Sequence, residues 1–127
     1  MTASPAQLIA AASEALQARM YHVPTPPDAV TTSSWDDDGD GPFRTFAGSS
    51  WQVPISGDAD LFRAGHDIGL AILGMQYADG SCARWVVAQN MPEDIPPAAL
   101  RMLAESFADA HAEIERFNNT PVFAAAR

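Results

Sequence analysis

The order of hydrophobic patterns along this chain predicts an α+β domain: an antiparallel sheet of about four strands, with an N-terminal and a C-terminal helix packed on one face. Three observations carry that prediction. Residues 5–21 and 97–117 repeat apolar side chains at helical spacing, residues 43–90 read as short strand-like runs, and Asp79 and Gly80 join two of those runs with the dipeptide that favours a hairpin turn.

The first helix has a complete start signal. Ser4, Pro5 and Gln7 supply an N-cap, a proline at the first helical position and the far end of a capping box. Leu8, Ile9, Ala12, Leu16 and Met20 then form one apolar stripe, and Pro24, Pro26 and Pro27 end the element. The segment 23–42 is rich in proline and acid with few core-forming residues, so it reads as a long loop, pinned if Trp35 docks.

From Phe43 to Ser56 the pattern predicts two short strands broken at Gly48, Ser49 and Ser50, with Pro54 placing the second at an edge. The clearest strand signal is IGLAILGMQYADGSCARWVVAQ. A two-residue Asp-Gly turn there would pair Tyr77 with Cys82, Met75 with Arg84 and Leu73 with Val86. Residues 58–75 also fit a helical period, but glycines at 65, 69 and 74 each cost about 1 kcal/mol in a helix interior. The expectation is therefore a loop or short turn over 58–65 followed by a strand.

The last helix, 97–117, spaces Leu100, Leu103, Phe107, Ala110, Ile114 and Phe117 as a regular 3-4 seam, with Glu105, Asp109 and Glu113 expected on the solvent side. Covering a sheet is the commoner use of such a seam; a homodimer through residues 100–117 is the alternative. Pro121 prevents extension, so 118–127 reads as a tail.

At 127 residues and 47% hydrophobic, the chain is long enough to bury one core as a single domain. Sixteen acidic residues oppose seven basic ones, all arginine, for a net charge of -9. Such a surface repels phosphates, which excludes direct nucleic acid binding as the leading reading and favours a partner protein with a basic surface. The lack of lysine and the abundance of alanine point to a bacterial or phage source. The single cysteine, Cys82, and a first segment with no basic lead and an interrupting Glu14 argue for the cytoplasm, without a signal peptide or membrane anchor.

The stretch WDDDGDG carries the strongest motif-like pattern. Asp36, Asp38, Asp40 and Gly41 match the opening of a calcium loop, in which alternate carboxylates folded around a glycine supply oxygen ligands. The second half departs from that pattern, because the position expected to hold a bidentate glutamate is Ala47. A solvated acidic turn is therefore favoured over a Ca²⁺ site, which Asp58 or Asp60 could complete; no cofactor is expected. Cys82 and His66 are the candidates for an enzyme, but no basic neighbour is expected to activate the thiol, and His66 and Asp67 would point to opposite faces of a strand. His111 and Glu115, one helical turn apart, lack further ligands for a metal.

The composition and motifs together favour a small acidic non-catalytic protein that binds, and inhibits, a partner with a basic surface, of inhibitor or immunity type, such as one acting on nucleic-acid-binding machinery. Trp35, Asp36, Asp37, Asp38 and Asp40, with Glu105, Asp109 and Glu113, are its expected contact residues; Trp35 would be the hot spot for an arginine. Mimicry of nucleic acid requires the acidic loop and the helix stripe to lie together, since carboxylates four apart on a helix rise about 6 Å per step.

Overall fold

The computed structural model describes residues 2–55 and 67–118. It is an α+β structure with a helix at each end: α1 (Pro5–Met20), β1 (Thr31–Thr32), β2 (Asp36–Asp37), β3 (Pro42–Val53), β4 (Ile68–Tyr77), β5 (Cys82–Gln89) and α2 (Pro97–Asn118). All pairing is antiparallel, in the order β1-β3-β4-β5, with β2 on the same edge of β3 as β1. The loop or short turn expected over 58–65 lies outside the described residues, and Ile68 to Met75 is strand rather than helix, as the glycines at 69 and 74 predicted.

The helix start is built as the sequence prescribes. Ser4 Oγ accepts from the Gln7 amide at 3.2 Å while Gln7 Oε1 accepts from the Ser4 amide at 2.8 Å, completing the capping box. The packing of α1 is less expected. Only the end of its apolar stripe is engaged: Leu16 and Met20 meet Val23 and Trp35. Leu8 and Ile9 are 61% and 71% exposed.

Two expectations about the sheet are corrected. Residues 43–53 form one strand, not two, because Gly48 and Ser49 are absorbed as an irregularity between Ala47 and Ser50 while pairing with β4 continues on both sides. The β4–β5 register also differs by one residue: Gln76 faces Cys82, Gly74 faces Arg84 and Leu73 faces Trp85. The physical reason is a longer turn. The Gly80 amide donates to the Tyr77 carbonyl and the Tyr77 amide to the Ser81 carbonyl, with Gly80 at φ 90°, which makes a three-residue loop with a glycine bulge. One step of register moves every β5 side chain to the other face.

The two faces of the sheet are therefore distinct. Val53, Ile68, Leu70 and Ile72 lie on the covered face, where Ala99 and Leu103 of α2 complete a buried cluster with Val53, Ile68 and Leu70. Glycine at 74 is required there, since a Cβ would fall 2.2 Å from the Phe46 ring. The helix seam is rotated from its expected line: Ala99, Leu103 and Ala110 are buried, while Leu100 and Phe107 are 53% and 41% exposed. The opposite face carries Phe43, Ala47, Ala71, Leu73, Met75, Tyr77, Trp85 and Val87, all half-buried or exposed. Among the described residues no helix packs on it.

Candidate interaction surface

The site residues expected from sequence separate into three groups. Trp35 is not a surface hot spot: it is 6% exposed, and its backbone is clamped by Gln17, whose amide donates to the Trp35 carbonyl and accepts from the Trp35 amide, both at 2.8 Å. The arginine stacked on it belongs to this chain, with the Arg44 guanidinium 4.6 Å from the ring centroid. Arg44 also donates to Gln76 Oε1 at 2.7 Å and to the Val23 carbonyl, and Gln76 donates to the Pro24 carbonyl. Burial lowers the pKa of Arg44. This network fastens the 23–35 segment over the covered face.

The second group is the acidic helix stripe. Glu105 is exposed and pairs with Arg101 at 3.5 Å within α2, and Asp109 is exposed. Glu113 is not on the solvent side: the rotated helix turns it inward, where Oε1 accepts from Ser49 Oγ at 2.7 Å and Oε2 is buried. The expected three-residue stripe is therefore reduced to two residues. It lies beyond the covered face, whereas the acidic loop opens on the other, so loop and stripe do not form one surface.

The third group is the aspartate loop. Asp36 and Asp37 form β2 against Phe43 and Pro42. The carboxylates cap their own turn, with Asp37 Oδ1 accepting from the Gly39 amide and Asp38 Oδ1 from the Asp40 amide, while Gly39 and Gly41 take positive φ. Arg19 lies 3.9 Å from Asp37. Among the described residues no three His, Cys, Asp or Glu side chains are gathered as a metal site. Asp58 and Asp60, which could have completed one, lie outside those residues.

Where the loop meets the hairpin turn, the structure forms an open cleft of about 680 Å³. Asp38, Asp40 and Asp79 supply its carboxylates; Phe43, Met75 and Tyr77, all from the uncovered sheet face, supply an apolar wall. Ser81 donates to Asp79 from its hydroxyl and its amide, which holds the Asp79 carboxyl below the usual carboxylate range. The hydrogen bonds from the Asp40 amide to Asp38 and from Ser81 to Asp79 all fall on Oδ1 of the accepting carboxylate. Carboxylates beside aromatic faces suit a guanidinium, which can pair with the former and stack on the latter. Sequence reading missed Asp79, Tyr77 and Met75 because the loop and the turn are about 40 residues apart and meet only through β3–β4 pairing; once Phe43 is paired with Tyr77, their meeting follows.

Cys82 is half-buried, its thiol donates to the Gly80 carbonyl, and burial pushes its pKa up, away from the thiolate a nucleophile requires. His22 is exposed, His111 sits 3.4 Å from Glu115 on an exposed helix face, and His66 lies outside the described residues. No helix among the described residues is long and apolar enough to cross a membrane. No protein-family model, curated protein or solved structure matches the chain.

Proposed function

We propose that this chain is a small non-catalytic interaction protein, of inhibitor or immunity type, that occupies a basic region of a partner protein through the cleft between its acidic loop and its β4–β5 turn. The observation that carries this reading is the juxtaposition of Asp38, Asp40 and Asp79 with Phe43, Met75 and Tyr77 at one end of an uncovered apolar sheet face. The net charge of -9 supports it by drawing a basic partner towards the surface over a Debye length of about 10 Å at 0.1 M salt. Charge sets the encounter, and the aromatic wall supplies the desolvated contact.

The test is calorimetric titration with a peptide alternating arginine and leucine, and with its glutamate counterpart. Binding of the arginine peptide alone, weakened at least about tenfold (1.4 kcal/mol) by combined Asp38→Asn, Asp40→Asn and Asp79→Asn, is expected. Equal binding to wild type and to the neutralised variant would overturn the reading. Heat on titrating metal-free protein with Ca²⁺, with a stability gain of about 4 kcal/mol at a thousandfold excess over Kd, would instead assign the loop to a cation.

A further inference from the structure

We infer that the chain forms a symmetric dimer in which α1 of each copy lies on the uncovered sheet face of the other. Among the described residues, two apolar surfaces lack a partner layer. One is the first part of the α1 stripe, Leu8, Ile9 and Ala12, which continues past the point where Leu16 and Met20 dock. The other is the sheet face of Ala47, Ala71, Leu73, Trp85 and Val87. A helix with an apolar stripe and a sheet with an apolar face are complementary layers of an α+β structure.

They cannot meet within one chain. The end of α1 is fastened beside the covered face through Gln17, Trp35 and Arg44, so the helix would have to undock to reach the opposite side. A second copy supplies the missing layer without disturbing either fastening. The free part of the helix, Pro5 to Ala15, is about 16 Å long at 1.5 Å per residue, and the face from Gly69 to Leu73 along β4 runs about 13 Å. This seat leaves Tyr77 and the acidic cleft at the other end open.

Charge favours the second copy as occupant. Two chains of net charge -9 can approach closely only where neither presents a carboxylate. Residues 2–13 contain no charged side chain, nor do the five face residues. A partner chosen for basic chemistry would gain nothing there. Reciprocal docking is isologous and closes on two copies, so it does not propagate into a fibre.

Sedimentation of the full chain from about 1 μM to about 1 mM, the span over which a dimer of micromolar affinity forms, reads the proposal directly. The expected mass rises from 13.5 kDa to twice that value. Leu8→Asp with Ile9→Asp, and separately Trp85→Gln, should each raise the dissociation constant at least about tenfold. Far-ultraviolet dichroism and urea unfolding at the lowest concentration confirm that each variant is folded; Val87→Thr replaces Trp85→Gln if it is not. Hydrogen exchange in the wild type gives a readout free of mutation: α1 amides should gain protection as concentration rises. A monomer throughout would overturn the proposal. So would a dimer that survives the Leu8/Ile9 change, which would move the contact to Leu100 and Phe107 of α2, or one broken by that change but indifferent to the sheet-face variants.

Discussion

Arg84 and Asp28 form a buried pair, with hydrogen bonds of 2.8 and 2.7 Å, and the guanidinium also reaches Asn118 and the rings of Phe46 and Phe117. The Asp28 hydrogen bonds raise the Arg84 pKa, so the cation persists at any working pH. Removing one partner leaves a charge inside the fold, whereas replacing both with apolar groups need not be costly. Asp28→Ala should lower unfolding free energy by about 3 kcal/mol, and Asp28→Leu combined with Arg84→Met should restore most of it; urea unfolding of the three variants checks this. Asp79 offers a test by pH. Its carboxyl is held below the unfolded value of 3.8, first by the Ser81 hydroxyl and then by the Ser81 amide. The fold favours the charged form, so this stabilisation is complete above that value and is lost as pH falls through the folded one. Ser81→Ala removes the larger cause, and NMR titration should show the Asp79 carboxyl moving up towards 3.8.

At the level of elements, what was legible in the sequence was local. The capping box needs only Ser4 and Gln7, Pro97 opens α2, and the Asp79–Gly80 pair marks a hairpin whatever its loop length. What was not legible depended on distant partners. The register could not be read because a two-residue and a three-residue turn both use that dipeptide; the observed one sets Arg84 against Asp28, 56 residues away. Trp35 bordered a polar stretch and looked exposed until Gln17 and Arg44 closed around it. The α2 seam treated Leu103 and Phe107 as equivalent, yet the sheet takes Leu103 and leaves Phe107 outside. Leu103→Ala should therefore cost about 2–5 kcal/mol and Phe107→Ala less than about 1, measured by chemical unfolding at low protein concentration. Similar losses at both positions would mean that the periodicity, not the observed rotation of the helix, describes the packing.

For the whole molecule, the two proposed contacts respond to salt with opposite signs because they rest on different terms. Binding of a basic segment at Asp38, Asp40 and Asp79 gains from Coulomb attraction, which fades as the Debye length shrinks from about 10 Å at 0.1 M to about 3 Å at 1 M. Self-association through α1 and the sheet face gains from apolar burial and is opposed by the mutual repulsion of two chains of net charge -9, which the same salt screens. Raising NaCl from about 0.1 to about 1 M should thus weaken binding of the arginine peptide and tighten the dimer. Calorimetry and sedimentation on one preparation read both. The triple asparagine variant sharpens the contrast: removing three carboxylates takes the net charge from -9 to -6, so it should weaken peptide binding while easing dimer formation. If both associations fell together with salt, the dimer would rest on ion pairs rather than on the uncharged surfaces of α1 and the sheet. If neither moved, the cleft's carboxylates would not be what a basic partner reads.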